Sequence, residues 1–362
     1  MKKILYLMNL DWYWIKQRPQ YIAENLSEYN DVYVVYKRSY RRKDLQKEKT
    51  QSKVKLVPLY TSPNFLNKYK IFKKTYYYFI KKKIKKLIKK LQPDVIYFSS
   101  IFPVDVIPKD YDGKILYDCM DDYSVLETRS VEREEKDLIS KSDIVLVTSE
   151  NLRQVIIRRY GQQIKRKLFL VRNGFNGPKI NLNDISTKEN KKNSATISYI
   201  GTVSRWFDFK ILEASLNKYP QLEYKIIGPV DKNIKVPQNS RIHFLGTIEH
   251  DDLYEHIKND IALVMPFKLN KIVESVDPVK LYEYINFDKN IITIKYNEID
   301  RFKPFVYFYD NEVDYCKRIG QVLSDSSIKY NQILRNEFLD KNSWKERVKR
   351  INELLENKDE NK

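Results

Sequence analysis

Asn193-Ser194-Ala195-Thr196-Ile197-Ser198-Tyr199-Ile200-Gly201-Thr202 is the stretch on which the organisation of this 362-residue chain turns. Residues 173–193, which lead into it, hold two glycines, a proline and many Asn, Lys and Ser without apolar periodicity, the composition of an interdomain linker. A β-rich run then begins and stops at a glycine, so a pattern already complete upstream starts again. Upstream, apolar runs over 4–8, 32–36, 54–59, 95–98, 115–117, 144–147 and 168–171 read as strands, and helix-length stretches over 17–28, 68–91, 131–141 and 151–160 lie among them. Downstream, strands are expected over 196–200, 224–227, 242–245, 261–264 and 291–294, and helices over 209–218, 251–258 and 278–286. Such alternation indicates parallel sheets with helices on both faces. The fold class is α/β, with two domains over 1–175 and 193–341 that imply a cleft. The last stretch, 343–358, spaces Val348, Ile351, Leu354 and Leu355 as an amphipathic helix able to pack on either domain.

Composition narrows the function. Two cysteines, Cys119 and Cys316, lie far apart with no CxxC spacing, so neither a disulfide framework nor a thiolate metal site is signalled, and a reducing cytoplasm fits. No run approaches the roughly 18 apolar residues that a spanning helix needs. The apolar N-terminal run is broken by Asp11 and Lys16 before any cleavage-like site, and reads as a first buried strand rather than a signal segment. The chain has no GxGxxG and no GxxxxGK[ST], which removes a nicotinamide fingerprint and a Walker phosphate loop.

Only eight glycines are present, and three end expected strands of the second domain: Gly201 before Thr202, Gly228 before Pro229, and Gly246 before Thr247. In open parallel sheets the carboxyl ends of strands form the ligand crevice, and glycine there lets backbone amides approach a phosphate. Further on, Glu274-Ser275-Val276-Asp277-Pro278-Val279-Lys280-Leu281-Tyr282-Glu283-Tyr284 places Pro278 in a first helical turn with Asp277 as its cap. Lys280 and Glu283 then lie one turn apart near a helix start that favours anions. A diphosphate meeting the lysine, with ribose hydroxyls on the carboxylate, would suit this spacing, as would a plain surface ion pair.

These residues carry a resemblance. Asp11-Trp12-Tyr13-Trp14 with Gln17-Arg18-Pro19-Gln20, Tyr117-Asp118-Cys119-Met120-Asp121-Asp122-Tyr123, Tyr199-Ile200-Gly201-Thr202 with Trp206-Phe207-Asp208, and residues 277–284 together resemble retaining GT-B glycosyltransferases of the bacterial teichuronic-acid and cell-surface polysaccharide type. The resemblance implies two Rossmann-like domains facing each other across a cleft and a final helix that returns to the first domain. It also implies that Glu283 binds ribose and that the Gly201 loop faces the diphosphate. One departure stands out: that family has two glutamates eight positions apart, and Ser275 occupies the earlier position, with Glu274 one place off.

Sugar transfer requires stabilising the leaving diphosphate, usually with fixed positive charge in a dry cleft. Donor-binding candidates are Gly201, Thr202, Arg205, Gly228, Pro229, Val276, Lys280, Leu281 and Glu283. All three histidines fall in the second domain, which leaves carboxylates as acceptor-side catalytic candidates: Asp121, Asp122 and Asp11, each after an expected strand end. Turn formation or helix capping is the competing use of each. Trp12 and Arg18 are acceptor-binding candidates; Arg18 would hold an anionic group or cap a core. No metal ligand set is expected from the Asp121-Asp122 pair, and no cofactor beyond a nucleotide-diphosphate sugar as co-substrate.

Net charge is +19, and no acidic residue lies between Glu48 and Asp94, where fourteen lysines fall. From Lys68 to Lys90 a basic helix is expected, its apolar stripe at Ile80, Ile84, Leu87, Ile88 and Leu91 and aromatic residues at 76–79. Such a helix suits an anionic membrane surface, reached from the cytoplasm by a peripherally bound enzyme with a glycan or lipid-linked acceptor. A solvated surface explains the lysines equally. Two rival functions remain: a basic nucleic-acid-binding protein, against which no recognised module appears, and a non-catalytic sugar-nucleotide-binding subunit.

Overall fold

A computed structural model describes residues 1–14, 16–39, 53–61, 70–123, 131–180 and 195–356. The chain forms two compact units, Met1–Asn173 with Trp344–Lys362, and Gly174–Ser343. Most of the linker expected over 173–193 lies outside the described residues, as does Lys68.

The first unit carries strands β1 (Lys3–Met8), β2 (Asp31–Ser39), β3 (Lys55–Thr61), β4 (Val95–Phe98), β5 (Lys114–Cys119), β6 (Ile144–Val147) and β7 (Leu168–Leu170). They lie in the order β3-β2-β1-β4-β5-β6-β7, every pairing parallel. Helices α1 (Arg18–Leu26), α2 (Lys70–Leu91), α3 (Glu132–Lys141) and α4 (Glu150–Tyr160) follow four of the strands. Buried residues divide into a layer on each side of this sheet: Leu5, Leu7 and Phe98 pack with α2, and Ile4, Tyr6 and Tyr97 with α1. That division is the period-2 alternation of a doubly covered parallel sheet.

The second unit repeats the plan. Its strands β8 (Thr196–Ile200), β9 (Glu223–Ile227), β10 (Ile242–Gly246), β11 (Ala262–Met265), β12 (Asn290–Ile294) and β13 (Val306–Tyr309) are ordered β10-β9-β8-β11-β12-β13, again all parallel. Relative to its own first strand each sheet runs 3-2-1-4-5-6, the dinucleotide-fold order, whose switch points lie between β1 and β4 and between β8 and β11. The helices are α5 (Phe209–Lys218), the single turns α6 (Leu253–Ile257) and α7 (Lys271–Ser275), α8 (Val279–Asn286), α9 (Glu312–Ser324) and α10 (Gln332–Lys341). The strand β13 and helices α7, α9 and α10 were not anticipated from sequence. Their apolar residues are scattered among Asn, Asp and Lys, and tertiary burial, not local periodicity, selects them.

The final helix α11 (Trp344–Glu356) belongs to the first unit. Val348, Ile351 and Leu355 are buried with Ile22 and Leu26 of α1, Trp344 stacks on Tyr21 at 5.4 Å, and the Asn30 amide donates to Asn352 Oδ1 at 3.0 Å. The apolar stripe of α11 therefore closes the face of the sheet that α1 leaves open.

Candidate functional site

In the second unit the three strand-end glycines come together. Gly201, Gly228 and Gly246 have φ of 151°, 135° and 70°, all in a region that residues with a side chain rarely adopt. The Gly201 amide donates to the Ile227 carbonyl at 2.8 Å, and the Gly228 amide to that of Gly246 at 2.7 Å. Beyond them Val203 donates to Pro229 at 2.9 Å and Asp231 to Val203 at 3.0 Å, so the chains leaving β8 and β9 stay laced past the end of the sheet. A Cβ on Gly228 would lie 2.2 Å from the Gly201 oxygen. The sequence reading assigned the glycine amides to a phosphate; the structure corrects this, because those amides are already bonded and the glycines serve close approach. The amides of Thr202 and Arg205, just beyond, meet no acceptor among the described residues.

Helix α8 is tied to the same crest. The hydroxyl of Tyr284 accepts from the Ile200 amide at 2.8 Å and reaches the Ile200 carbonyl at 3.2 Å. The next residue along β8 is Gly201, and the residue before Tyr284 is Glu283. Glu283 and Gly201 thus share one end of the unit. Glu283 is largely buried; its Oε2 accepts from Lys280 Nζ at 2.9 Å, and its Oε1 lies 3.9 Å from Nε2 of His250, in the turn after β10.

The loop entering α8 is held by a cluster that sequence reasoning missed. Arg301, in the 3₁₀ turn Asn297–Phe302, pairs with Asp277, donates to the Tyr282 hydroxyl at 2.7 Å and donates through Nη1 to the Glu298 carbonyl at 2.9 Å. Asp277 is therefore not the helix cap expected from sequence; Pro278 occupies that position without a side-chain bond, and the Asp277 carboxylate is consumed by Arg301 and Tyr282. The two partners lie 24 residues apart, beyond any local spacing signal. Leu281 is fully buried in the core, so its side chain cannot line a donor site as expected. Val276 is half-buried and its carbonyl accepts from Tyr296 at 3.2 Å; Arg205 and Pro229 are exposed, and Thr202 is half-buried.

In the first unit Arg18 resolves the alternatives left open. Its Nε and Nη2 each meet Asp118 at 2.9 Å, and its Nη1 donates to the Arg172 carbonyl at 3.1 Å and to Asn173 Oδ1 at 3.3 Å. The pair is buried, with Tyr97 donating to Asp118 at 2.9 Å. Arg18 is thus a core residue that fastens α1 to β5, not an anion receptor. Trp12 is buried beside Tyr6, Tyr36 and Tyr97, so its ring is also unavailable to an acceptor. Asp11 accepts from the Tyr13 amide at 3.1 Å in a local turn, and Asp122 pairs with Arg159 at 2.9 Å. Asp121 differs: its carboxyl accepts no hydrogen bond among the described residues. Burial pushes it up to about 6, with Arg18 opposing and the carboxylates of Asp118 and Asp122 adding to the rise. Among the described residues no three His, Cys, Asp or Glu side chains gather as a metal site.

Helix α2 buries Ile80, Ile84 and Ile88 and presents Tyr78, Phe79, Lys82, Lys83, Lys86, Lys89 and Lys90 to solvent, Tyr78 and Phe79 being 60% and 62% exposed. Tyr77 and Lys81 are bonded to Asp105, which anchors the helix. No described helix is long and apolar enough to cross a membrane.

No family model matches the chain. Among curated proteins it is 20% identical over 248 residues to the "Putative teichuronic acid biosynthesis glycosyltransferase TuaH" of Bacillus subtilis, a match covering 62% of this chain and 62% of that protein, less than two thirds of either. Solved structures resemble it over nearly the whole length. Sucrose-phosphate synthase from Thermosynechococcus elongatus superposes with a TM-score of 0.71 at 13% identity, covering 98% of each chain. HepE of Anabaena, solved with UDP and glucose, gives 0.67 at 12% identity and covers 98% of this chain and 99% of its own. The lipopolysaccharide outer core galactosyltransferase WaaB gives 0.65 at 13%, with the same coverage as HepE. At such identities the likeness is one of fold, and the fold is GT-B.

Two outcomes are expected. Gly228→Ala must push the β9 end off the Gly201 carbonyl from a φ that alanine resists, and should lower the stability of the protein by roughly 2 kcal/mol or more in urea denaturation. A raised carboxyl favours folding only when protonated: that contribution is complete below pH 4 and is lost as pH rises through about 6. Asp121→Asn should therefore be more stable than the unsubstituted protein at pH 8, by of order 1 kcal/mol, with the difference closing below pH 5.

Proposed function

We propose that the chain is a glycosyltransferase whose unit Gly174–Ser343 binds a nucleoside-diphosphate sugar. The observation that carries this reading is the tie between Tyr284 and Ile200, which brings the Glu283 carboxylate to the glycine crest where β8 and β9 end. A carboxylate with two acceptor oxygens suits a vicinal ribose diol, and the amides of Thr202 and Arg205, with the Arg205 side chain, suit a diphosphate. Arg205 and Lys280 would offset charge on the diphosphate as the bond to the sugar breaks. Val276 and Pro229 would frame the donor by backbone contacts.

The acceptor belongs in this reading to the first unit. Asp121 is its proposed acceptor-side carboxylate, since Asp122 and Asp11 are already bonded. A glycan or lipid-linked acceptor in cell-surface polysaccharide assembly, and retention of configuration, follow from the resemblance and agree with the printed roles of the TuaH and WaaB proteins. The enzyme would use no cofactor besides its donor. The exposed Tyr78, Phe79 and lysines of α2 would hold it peripherally on the cytoplasmic face of an anionic membrane, each lysine contributing up to about 1 kcal/mol.

A thermal-shift screen tests the donor assignment. UDP, dTDP or GDP at about 100 times its dissociation constant should stabilise the protein by roughly 2.7 kcal/mol, and Glu283→Gln should abolish most of the shift; no response to any nucleoside diphosphate would sink the reading. Flotation separates the surfaces: vesicles with phosphatidylglycerol should retain the protein at moderate salt and release the variant with Lys82, Lys86, Lys89 and Lys90 changed to Gln. Equal binding to duplex DNA at physiological salt would favour a nucleic-acid role instead.

A further inference from the structure

The proposed ribose carboxylate is not free to receive a ribose. Glu283 Oε2 carries the Lys280 ammonium at 2.9 Å, and Oε1 faces His250 at 3.9 Å, whose other ring nitrogen lies 3.8 Å from Asp251. The Glu283 side chain is 15% exposed and that of Lys280 36%. A largely buried carboxylate without a partner is costly, and the lysine relieves that cost in the free protein. A ribose diol donates two hydrogen bonds and needs both oxygens, so it must displace the lysine from Oε2.

We propose that Lys280 is a placeholder that exchanges partners, leaving Glu283 for a phosphate when a nucleoside diphosphate binds, so that the site rejects nucleosides lacking phosphates. This inference rests on the donor-site reading above and adds to it how the site selects its ligand class. A lysine suits the exchange. Its ammonium is a compact charge on a flexible four-carbon stem, half exposed at the first turn of α8, and can swing without moving the helix. The helix itself need not move, because Tyr284 is bonded to Ile200. With a diphosphate at the crest the displaced ammonium gains a new anion. With a bare nucleoside it is released to water, and the ion pair is lost without replacement.

Calorimetric titration of UDP and uridine, or of dTDP and thymidine or GDP and guanosine if the screen selects those, into the intact protein and its Lys280→Met variant tests the exchange. Loss of one charge-assisted contact should weaken diphosphate binding on the order of tenfold to a hundredfold. Nucleoside binding should stay level or tighten, because the competitor for Glu283 is gone. Lys280→Gln is a second, polar variant that should show the same split. A parallel loss of both ligands would make Lys280 only a prop for Glu283 and overturn the exchange while leaving the donor site standing. Unchanged diphosphate affinity would overturn it as well. Failure of the unsubstituted protein to bind any diphosphate would remove the donor site itself, and the exchange with it.

Discussion

The candidate site depends on a single contact between backbones. The chain leaving β9 crosses so close to Gly201 that no side chain fits at Gly228, and both residues hold positive φ. The contact allows two strand ends to remain hydrogen-bonded after the sheet has stopped, which builds a stiff ledge instead of two loose loops. Tyr284 then ties helix α8 to the residue before that ledge, and the helix delivers Glu283 and Lys280 to it. With a bulkier residue at Gly228 the ledge would open, and the carboxylate would have nothing fixed to face.

Buried ion pairs have a different task in each unit. Arg18 and Asp118 join the first helix to the middle of the first sheet, and their remaining polar atoms are met by Tyr97, Arg172 and Asn173. Arg301 and Asp277 fasten the loop that enters α8. Removing one partner of such a pair strands a charge away from water, with a cost of about 3–5 kcal/mol. Both pairs therefore act as rivets for backbone segments that have little regular structure of their own. The exposed lysines of α2 contrast with them: only Lys81 of that helix is printed in an ion pair, and the rest of the charge is carried on the surface.

Much of the architecture was legible beforehand because parallel strands covered on both faces read as short apolar runs, and because the pattern restarts at Thr196. The glycines at 201, 228 and 246 pointed to the correct end of the correct sheet. Their assigned use was wrong in detail, since hydrogen bonds from glycine amides to a neighbouring strand leave no mark in the sequence. Arg18, Trp12, Asp277 and Leu281 were read as available to a ligand or as a cap, and each is taken up by the fold.

The sequence by itself determined the alternation of strands and helices, the restart, the positions needing glycine and the lysine-rich face of α2. These follow from local rules: side-chain periodicity, backbone sterics and charge density act over a few residues. Tertiary structure alone decided which polar groups are spent and which remain. Arg18 finds Asp118 one hundred residues away, Asp277 finds Arg301, and Asp121 is left without a hydrogen bond among the described residues. The reason is that burial converts an ordinary charge into one that must be paired, and the partner is supplied by whichever distant segment packs beside it.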